Sequence, residues 1–379
     1  MPFPTEQGTQ ASIHAMLQAC VTAGHDARLL TYASGQGNHD GSYVLERASR
    51  LPGRETFRSG PSLRKLAHDG LLTLALRRAL RPPGPSLVVS HHVEAGGACL
   101  VARARPLVFF AHTALAPELP SYFHPWLAPA IARAGQSVDR LLCRGADAVA
   151  AISPVLARLL SDETGVPATY VPLPWPVPAL RTEDERASAR ASLDIDPRTE
   201  VLLYAGNLDA YQGWEHVLET LVLVSLSRPR AVLMVATASD PRSLLTLALR
   251  LGVAERVRVV SLAGELSRRT IHAGADVAVV PRRAAGGLPI KLLDALARGV
   301  PTVTTERAIA GLQIGDAAVV VRDDDARAFA TSVTSLLSAA DSARELALRA
   351  RRYVAEEHST ARFLEAFDEV ARRARGQHR

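Results

Sequence analysis

Short apolar runs rich in Val, Leu and Ala alternate with longer stretches of helical period along nearly the whole chain. The runs at 27–32, 87–90, 107–111, 148–152 and 169–171 predict strands in the first half; those at 201–205, 232–236, 257–260, 277–280, 302–304 and 318–321 predict strands in the second. Their apolar character is continuous rather than alternating. Strands of that kind belong in parallel sheets with helices on both faces, and the β-α alternation supplies those helices. The fold class that follows is α/β and doubly wound, with ligands expected beyond the carboxyl ends of the strands.

A length of 379 residues makes two domains, each with its own core. The sharpest break is Val171-Pro-Leu-Pro-Trp-Pro-Val-Pro178, where alternate prolines forbid helix and favour an extended chain. The domains are therefore drawn at 1–173 and 183–358, with a proline-rich hinge at 174–182. A closing segment, 359–379, has Ser359 as an N-cap and Phe363, Phe367, Val370 and Ala374 at helical spacing. It reads as an amphipathic helix packing back toward the first domain. Gly145-Ala-Asp147 and Gly274-Ala-Asp276 each lead from a helix end into an apolar strand, an echo that fits duplication or chance in an Ala-rich chain. At the start, 1–10 reads as a loop feeding a helix over 11–23. The first strand of the doubly wound pattern is missing from that place, so either the chain begins downstream of it or another segment fills it.

Of 44 basic residues only Lys65 and Lys291 are lysines, an arginine skew that reads as a GC-rich bacterial genome. The net charge of +6 is neither gathered into tails nor interleaved with aromatics, which sets nucleic acid aside. Three scattered cysteines, Cys20, Cys99 and Cys143, form no metal or disulfide pattern and fit a reduced cytoplasm. Neither a signal peptide nor a membrane span is expected. The stretch 62–81 carries Arg64, Lys65, Arg77, Arg78 and Arg81 against Asp69. It reads either as a crossover helix with a solvated basic face or as a peripheral contact with the inner face of the cytoplasmic membrane. Asp323-Asp-Asp325 reads as an N-cap with favourable helix-end charge, or as a metal cluster.

The most informative stretch is Pro281-Arg-Arg-Ala-Ala-Gly-Gly-Leu-Pro-Ile-Lys-Leu-Leu-Asp-Ala-Leu-Ala-Arg-Gly-Val-Pro301. It leaves a strand, turns through Gly286 and Gly287, enters a helix near Pro289, with Leu288 and Ile290 on either side of that entry, and ends at Gly299. Such a turn presents free backbone N–H groups and a positive helix end, a cradle for phosphate. Lys291 falls in the first turn, where a cation disfavours the helix, so a compact charge there points to an anion, with a plain surface lysine as the alternative.

This stretch resembles the donor site of retaining glycosyltransferases of family 4, which share the two-domain GT-B fold with two Rossmann-like domains facing a cleft. In Asp294-Ala-Leu-Ala-Arg-Gly-Val-Pro301, Asp294 takes the place of the family's second Glu, which holds the ribose hydroxyls. Eight positions earlier the family's first Glu, a donor-sugar contact, is replaced by Gly286. Leu203-Tyr-Ala-Gly-Asn-Leu-Asp-Ala-Tyr-Gln-Gly213 is similar to the family's Gly-Arg-Leu…Lys-Gly segment. Gly206 is retained, while Asn207 and Gln212 stand where the family neutralises the diphosphate with Arg and Lys. The leaving diphosphate gains negative charge, so Lys291 with Arg282 or Arg283 is expected to compensate.

In the first half, Gly8 and Thr9 resemble the family's glycine loop, near donor phosphates or acceptor. His112, after Leu107-Val-Phe-Phe-Ala111, matches a His placed against the donor sugar, with a core histidine as the alternative. Glu118 is expected on the acceptor side, and Ser153 as an N-cap or a ligand contact. His91 and His92 have a similar position without an assignable role, and Leu262 lies in a loop expected to contact the base.

The resemblance implies transfer of a sugar, of hexosyl type, from a nucleotide-diphosphate sugar to a hydroxyl with retention. The acceptor is a small molecule or a lipid-linked glycan, in cell-envelope or secondary-metabolite biosynthesis. Domain closure excludes water, and no cofactor or metal is expected. The rivals are a nucleotide-sugar epimerase of the same fold and a non-catalytic nucleotide-sugar-binding partner.

Overall fold

The computed structural model describes residues 3, 8–35, 41–51, 63–262, 264–283, 287–323 and 325–376. The chain divides into two compact units: residues 1–174 with 286–288 and 359–379, and residues 175–285 with 289–358.

The first unit runs α1 (Gly8–Thr22), β1 (Arg28–Thr31), β2 (Val44–Arg47), α2 (Leu63–Ala79), β3 (Val88–His91) and α3 (His92–Ala102). It continues with β4 (Leu107–Ala111), α4 (Leu115–Glu118), α5 (Ala128–Gly145), β5 (Ala148–Ala151), α6 (Pro154–Thr164) and β6 (Ala168–Tyr170). Strands β3-β4-β5-β6 form one sheet in that order, all parallel. β1 and β2 pair separately, also in parallel, register Arg28↔Val44. All five residues of β4 are buried, as the continuous apolar run requires of a central strand. β2 was not expected, because its four residues, half of them charged, carry no apolar run. α1 also starts earlier than the pattern placed it, so Gly8 and Thr9 belong to its first turn, where the Ser12 hydroxyl donates to the Gly8 carbonyl (2.8 Å).

α4 is held to α5 by two devices. Gly135 leaves room for the α4 backbone, and Asp139 one turn on accepts from the Leu115 and Ala116 N–H groups (both 3.1 Å). Asp139 thereby satisfies donors that a four-residue helix leaves open. α2 buries His68 and Leu72 on the face that packs on α3 and β1, and exposes Arg64, Leu66, Leu74, Arg77 and Arg78 on the other. Among the described residues no helix is long and apolar enough to cross a membrane.

The second unit runs α7 (Glu183–Ser192), β7 (Glu200–Ala205), α8 (Trp214–Ser227), β8 (Ala231–Thr237), α9 (Arg242–Arg250) and β9 (Val257–Ser261). It goes on through α10 (Gly264–Gly274), β10 (Val277–Val280), α11 (Ile290–Ala297), β11 (Thr302–Thr305), β12 (Val319–Val321), α12 (Ala326–Ser338) and α13 (Ala340–Glu357). Its six strands lie in the order β12-β11-β10-β7-β8-β9, all parallel. One core fills the face under α8 and α12, with Trp214, Val217, Leu218, Leu221 and Val224 at helical spacing against Phe329 and Val333. A second core, around Leu203, Met234, Ile271, Ala278 and Ala295, fills the other face. The chain winds from β7 outward through β8 and β9, then returns to β10 and continues the opposite way. The reversal between β7 and β10 is the topological switch point, where doubly wound sheets bind ligands.

The last helix, α14 (Thr360–Gly376), is capped by the Ser359 hydroxyl, which accepts from the Arg362 N–H (3.2 Å). Its buried Phe363, Val370 and Ala374 face the first unit's sheet. The repeated Gly-Ala-Asp segment has one physical meaning in both units. Asp147 accepts from the Leu107 N–H and Asp276 from the Val201 N–H (both 2.7 Å), so each carboxylate secures the start of the neighbouring strand. Arg186 and Arg190 then neutralise Asp276 at 2.7 and 2.6 Å.

Candidate functional site

At the switch point Lys291, the second residue of α11, folds over the end of β7. Its Nζ donates to the Tyr204 hydroxyl (3.0 Å) and lies 4.1 Å from that ring's centroid. Gly206 lies directly beneath it, where a Cβ would be in ordinary contact (3.4 Å) with both Cδ and Nζ of the lysine, and its φ of 154° is a backbone conformation that favours glycine. The Tyr204 hydroxyl donates onward to the Asn207 carbonyl (2.6 Å), which fixes the turn after β7. Lys291 is half-buried, so the surface-lysine reading does not hold. No carboxylate lies within ion-pair distance of it among the described residues. Burial, and then the Arg282 guanidinium, hold its ammonium well below the usual lysine range, against a weaker pull from Asp209.

Around that cation the loop after β7 and the loop after β10 are laced together. The Arg283 N–H donates to the Tyr211 carbonyl (3.0 Å), and the Arg282 guanidinium lies 5.6 Å from the Tyr211 ring centroid. Arg283 reaches Glu215 at 3.8 Å and is thereby partly compensated. Asn207 donates its amide to Asp209 (2.8 Å). Its Oδ1, and Gln212 Oε1 in the following turn, are buried without a partner in the described structure. These two amides thus offer acceptor atoms where the charged donors of the family pattern were replaced.

Asp294 differs from Lys291 in having charged partners. Its Oδ1 accepts from Arg298 Nε (2.9 Å), and Arg298 also binds Glu265 (2.7 Å). Burial works against ionisation of Asp294, but His272, Arg298 and Arg268 outweigh it and keep the carboxyl below its usual range. Burial lowers the proton affinity of His272, against the pull of Asp294; its Nδ1–H donates to the Arg268 carbonyl (2.8 Å), and its Nε2 lies 3.7 Å from Asp294 Oδ2. Leu262 packs half-buried on the second core, Leu288 and Gly287 are buried, and Ile290 opens α11. Gly286 lies outside the described residues.

In the first unit His112 follows the end of β4 and is buried. His91, the last residue of β3, places Nδ1 at 3.0 Å from His112 Nε2. His92 adopts the left-handed backbone, φ 69°, and stacks on His112 with centroids 5.1 Å apart and planes 21° apart. Burial first, and then the neighbouring imidazoles, hold His112 and His91 neutral, His91 at about 3. Glu118 accepts from the Tyr122 hydroxyl (2.9 Å). Gly8 is exposed and Thr9 half-buried in the first turn of α1. Ser153 is an N-cap, its hydroxyl accepting from the Leu156 N–H (3.2 Å). Asp325 likewise caps α12, and Asp323 pairs with Arg307 at 3.3 Å, while Asp324 lies outside the described residues.

Tyr204, Tyr211, His272 and Arg298 were not anticipated. Tyr204 sits inside an apolar strand, and Tyr211 and His272 lie on other elements, so the fold brings these three to Lys291, Arg282 and Asp294, whereas Arg298 caps the helix that carries Asp294, four residues on.

Two family models match this chain: "Glycosyl transferase 4-like domain" over residues 7–174 and "Glycosyl transferases group 1" over 199–339. A D-inositol 3-phosphate glycosyltransferase of Rhodococcus erythropolis is 25% identical over 304 residues, 76% of this chain and 68% of that protein. The enzyme of the same name from Segniliparus rotundus is 26% identical, and the match spans only 37% of its length. Among solved structures, WaaG, a glycosyltransferase involved in lipopolysaccharide biosynthesis, superposes with a TM-score of 0.74 at 18% identity over 97% of both chains. Anabaena HepE in complex with UDP-glucose gives 0.75 at 13% identity over 98% of both.

Proposed function

Since the chain is a GT-B glycosyltransferase, built from a glycosyl transferase 4-like domain and a group 1 domain, we propose that it moves a sugar from a nucleoside-diphosphate donor to an acceptor hydroxyl with retention. The observation that carries this reading is Lys291, a half-buried cation without a carboxylate partner at the β7/β10 switch point. A desolvated lysine held over a tyrosine ring costs free energy in the empty protein. An anion arriving at the end of β7 recovers that cost. Arg282 adds a second cation, and the α11 N-terminus adds its dipole. Together they would stabilise the charge that develops on the departing diphosphate, and they ask for no metal.

A uridine diphosphate donor is the first choice, because HepE was solved with UDP-glucose. The named Rhodococcus relative suggests a polyol acceptor, with the product entering cell-envelope glycan or glycolipid biosynthesis. Asp294 would read the ribose through its remaining oxygen lone pairs, Oδ1 being occupied by Arg298. Three free thiols accord with the cytoplasm.

The test is a donor screen with the purified chain in buffer containing EDTA, comparing the parent with Lys291→Ala. Losing one charge-assisted contact should weaken donor binding about 10- to 100-fold. Equal affinity and turnover in the variant would remove Lys291 from the site. Tight binding without transfer to any acceptor would instead favour a non-catalytic partner, and rearrangement of the donor without an acceptor an epimerase.

A further inference from the structure

The three histidines of the first unit form a cluster whose geometry exceeds what packing demands. His91 is paired with Phe110 in the β3–β4 register, so its Cα is fixed by the sheet, and its ring lies against Phe110 at 5.3 Å. From there it reaches across to the residue just beyond the end of β4. His92 begins α3 in a backbone conformation that a side chain seldom adopts, and its ring covers the face of His112. His112 therefore has one nitrogen bonded, one face covered and one nitrogen, Nδ1, with no partner among the described residues. Strain at a strand-to-helix turn persists where the arrangement serves a site.

We infer that His91 is a positioning residue for His112: through the Nδ1···Nε2 hydrogen bond it sets the tautomer of His112, so that Nδ1 of His112 is presented as a fixed acceptor to a ligand hydroxyl. The inference rests on the reading that His112 contacts substrate. Two neutral imidazoles can share one proton between Nδ1 and Nε2 in two ways. If His91 donates, both rings must carry their proton on Nδ1, the intrinsically less favoured tautomer. If His112 Nε2–H donates to His91 Nδ1, both rings are in the favoured Nε2–H form. The second arrangement is the one assigned here. It leaves a lone pair on His112 Nδ1, which receives an O–H and repels an anion, so the subsite selects a hydroxyl over a phosphate. The stacked His92 fixes the ring plane, and thus the direction of that lone pair.

The experiment combines ¹⁵N-imidazole NMR of the full chain with steady-state kinetics for the parent, His91→Phe and His91→Asn. Phenylalanine keeps the ring beside Phe110 but cannot accept; the asparagine Oδ1 stands near the place of Nδ1 and can. In the parent, His112 should be a single Nε2–H tautomer. In His91→Phe it should become a mixture, with kcat lowered about tenfold or more and donor KM changed much less. In His91→Asn the tautomer and most of kcat should return. If His91→Phe does not fold, the asparagine variant is compared with His91→Leu by the same readouts. An unchanged His112 tautomer in the apolar variant, unchanged turnover, or no recovery with asparagine overturns the inference. Absence of transfer by the parent on every acceptor sinks the functional reading instead, and the NMR result still decides whether His91 sets His112.

Discussion

At the scale of single residues, the site in the second unit turns on how a lysine is kept without a counter-ion. Burial and Arg282 lower the affinity of Lys291 for its proton, so the empty protein holds that proton less firmly than an exposed lysine would. On the proposed reading an incoming diphosphate should reverse this, because a nearby anion favours the ammonium, and binding should therefore be accompanied by proton uptake. Uptake is absent at low pH, where Lys291 is already charged, and grows as pH rises through its depressed value. Calorimetry of UDP binding in two buffers of different ionisation enthalpy, on both sides of neutrality, reads this directly. Lys291→Arg should bind without uptake, since a guanidinium stays charged; equal uptake in parent and variant would assign the proton elsewhere. Lys291 was legible in the sequence because it is one of two lysines among 44 basic residues. Its partner Tyr204 was not, since a tyrosine in an apolar strand looks like core until the fold sets a cation above it. Asp294 was legible as a carboxylate at the right spacing. Its commitment to Arg298 was not, although the four-residue separation on one helix face could have suggested it.

At the scale of elements, continuous apolar strands were easy to read because a parallel strand buries both faces. The expected runs at 107–111 and 277–280 coincide with β4 and β10. β2 escaped because it is short, with its two ends exposed and its two middle residues half-buried, and its pairing with β1 is specified by tertiary context rather than by its own pattern. Contacts between short elements were equally hidden. Gly135 is such a case: a Cβ there would lie 2.8 Å from the Leu115 carbonyl carbon and oxygen and 2.9 Å from the Ala116 nitrogen, all main-chain atoms. Backbone cannot rotate aside as a side chain can. Gly135→Ala should force α4 from α5, lengthen the bonds to Asp139 and cost about 1–3 kcal/mol, even though alanine favours helix more than glycine does. Urea denaturation checks the sign. A gain in stability would mean that helix propensity outweighs the clash and that α4 is loosely held.

At the scale of the whole molecule, each unit has its own hydrophobic clusters, with β4 buried at the heart of one and β7 and β8 of the other. Two cores in one chain permit two unfolding transitions, and a single Tm would then describe neither. The placement of Lys291, Asn207, Arg282 and Asp294 in the second unit makes a specific demand on them. UDP should stabilise the transition of the unit formed by 175–285 and 289–358, by about 2.7 kcal/mol at a hundredfold excess over Kd. Gly135→Ala identifies the other transition, because its clash lies wholly within the first unit and should lower that Tm alone. Differential scanning calorimetry of the parent and this variant, each with and without UDP, separates the two effects. The expected pattern is additive: the glycine substitution moves one transition, the nucleotide the other, and neither alters the response to its counterpart. If UDP instead protects the transition that Gly135→Ala lowers, the nucleotide is held by the first unit, and the assignment of the β7/β10 switch point as its site is wrong.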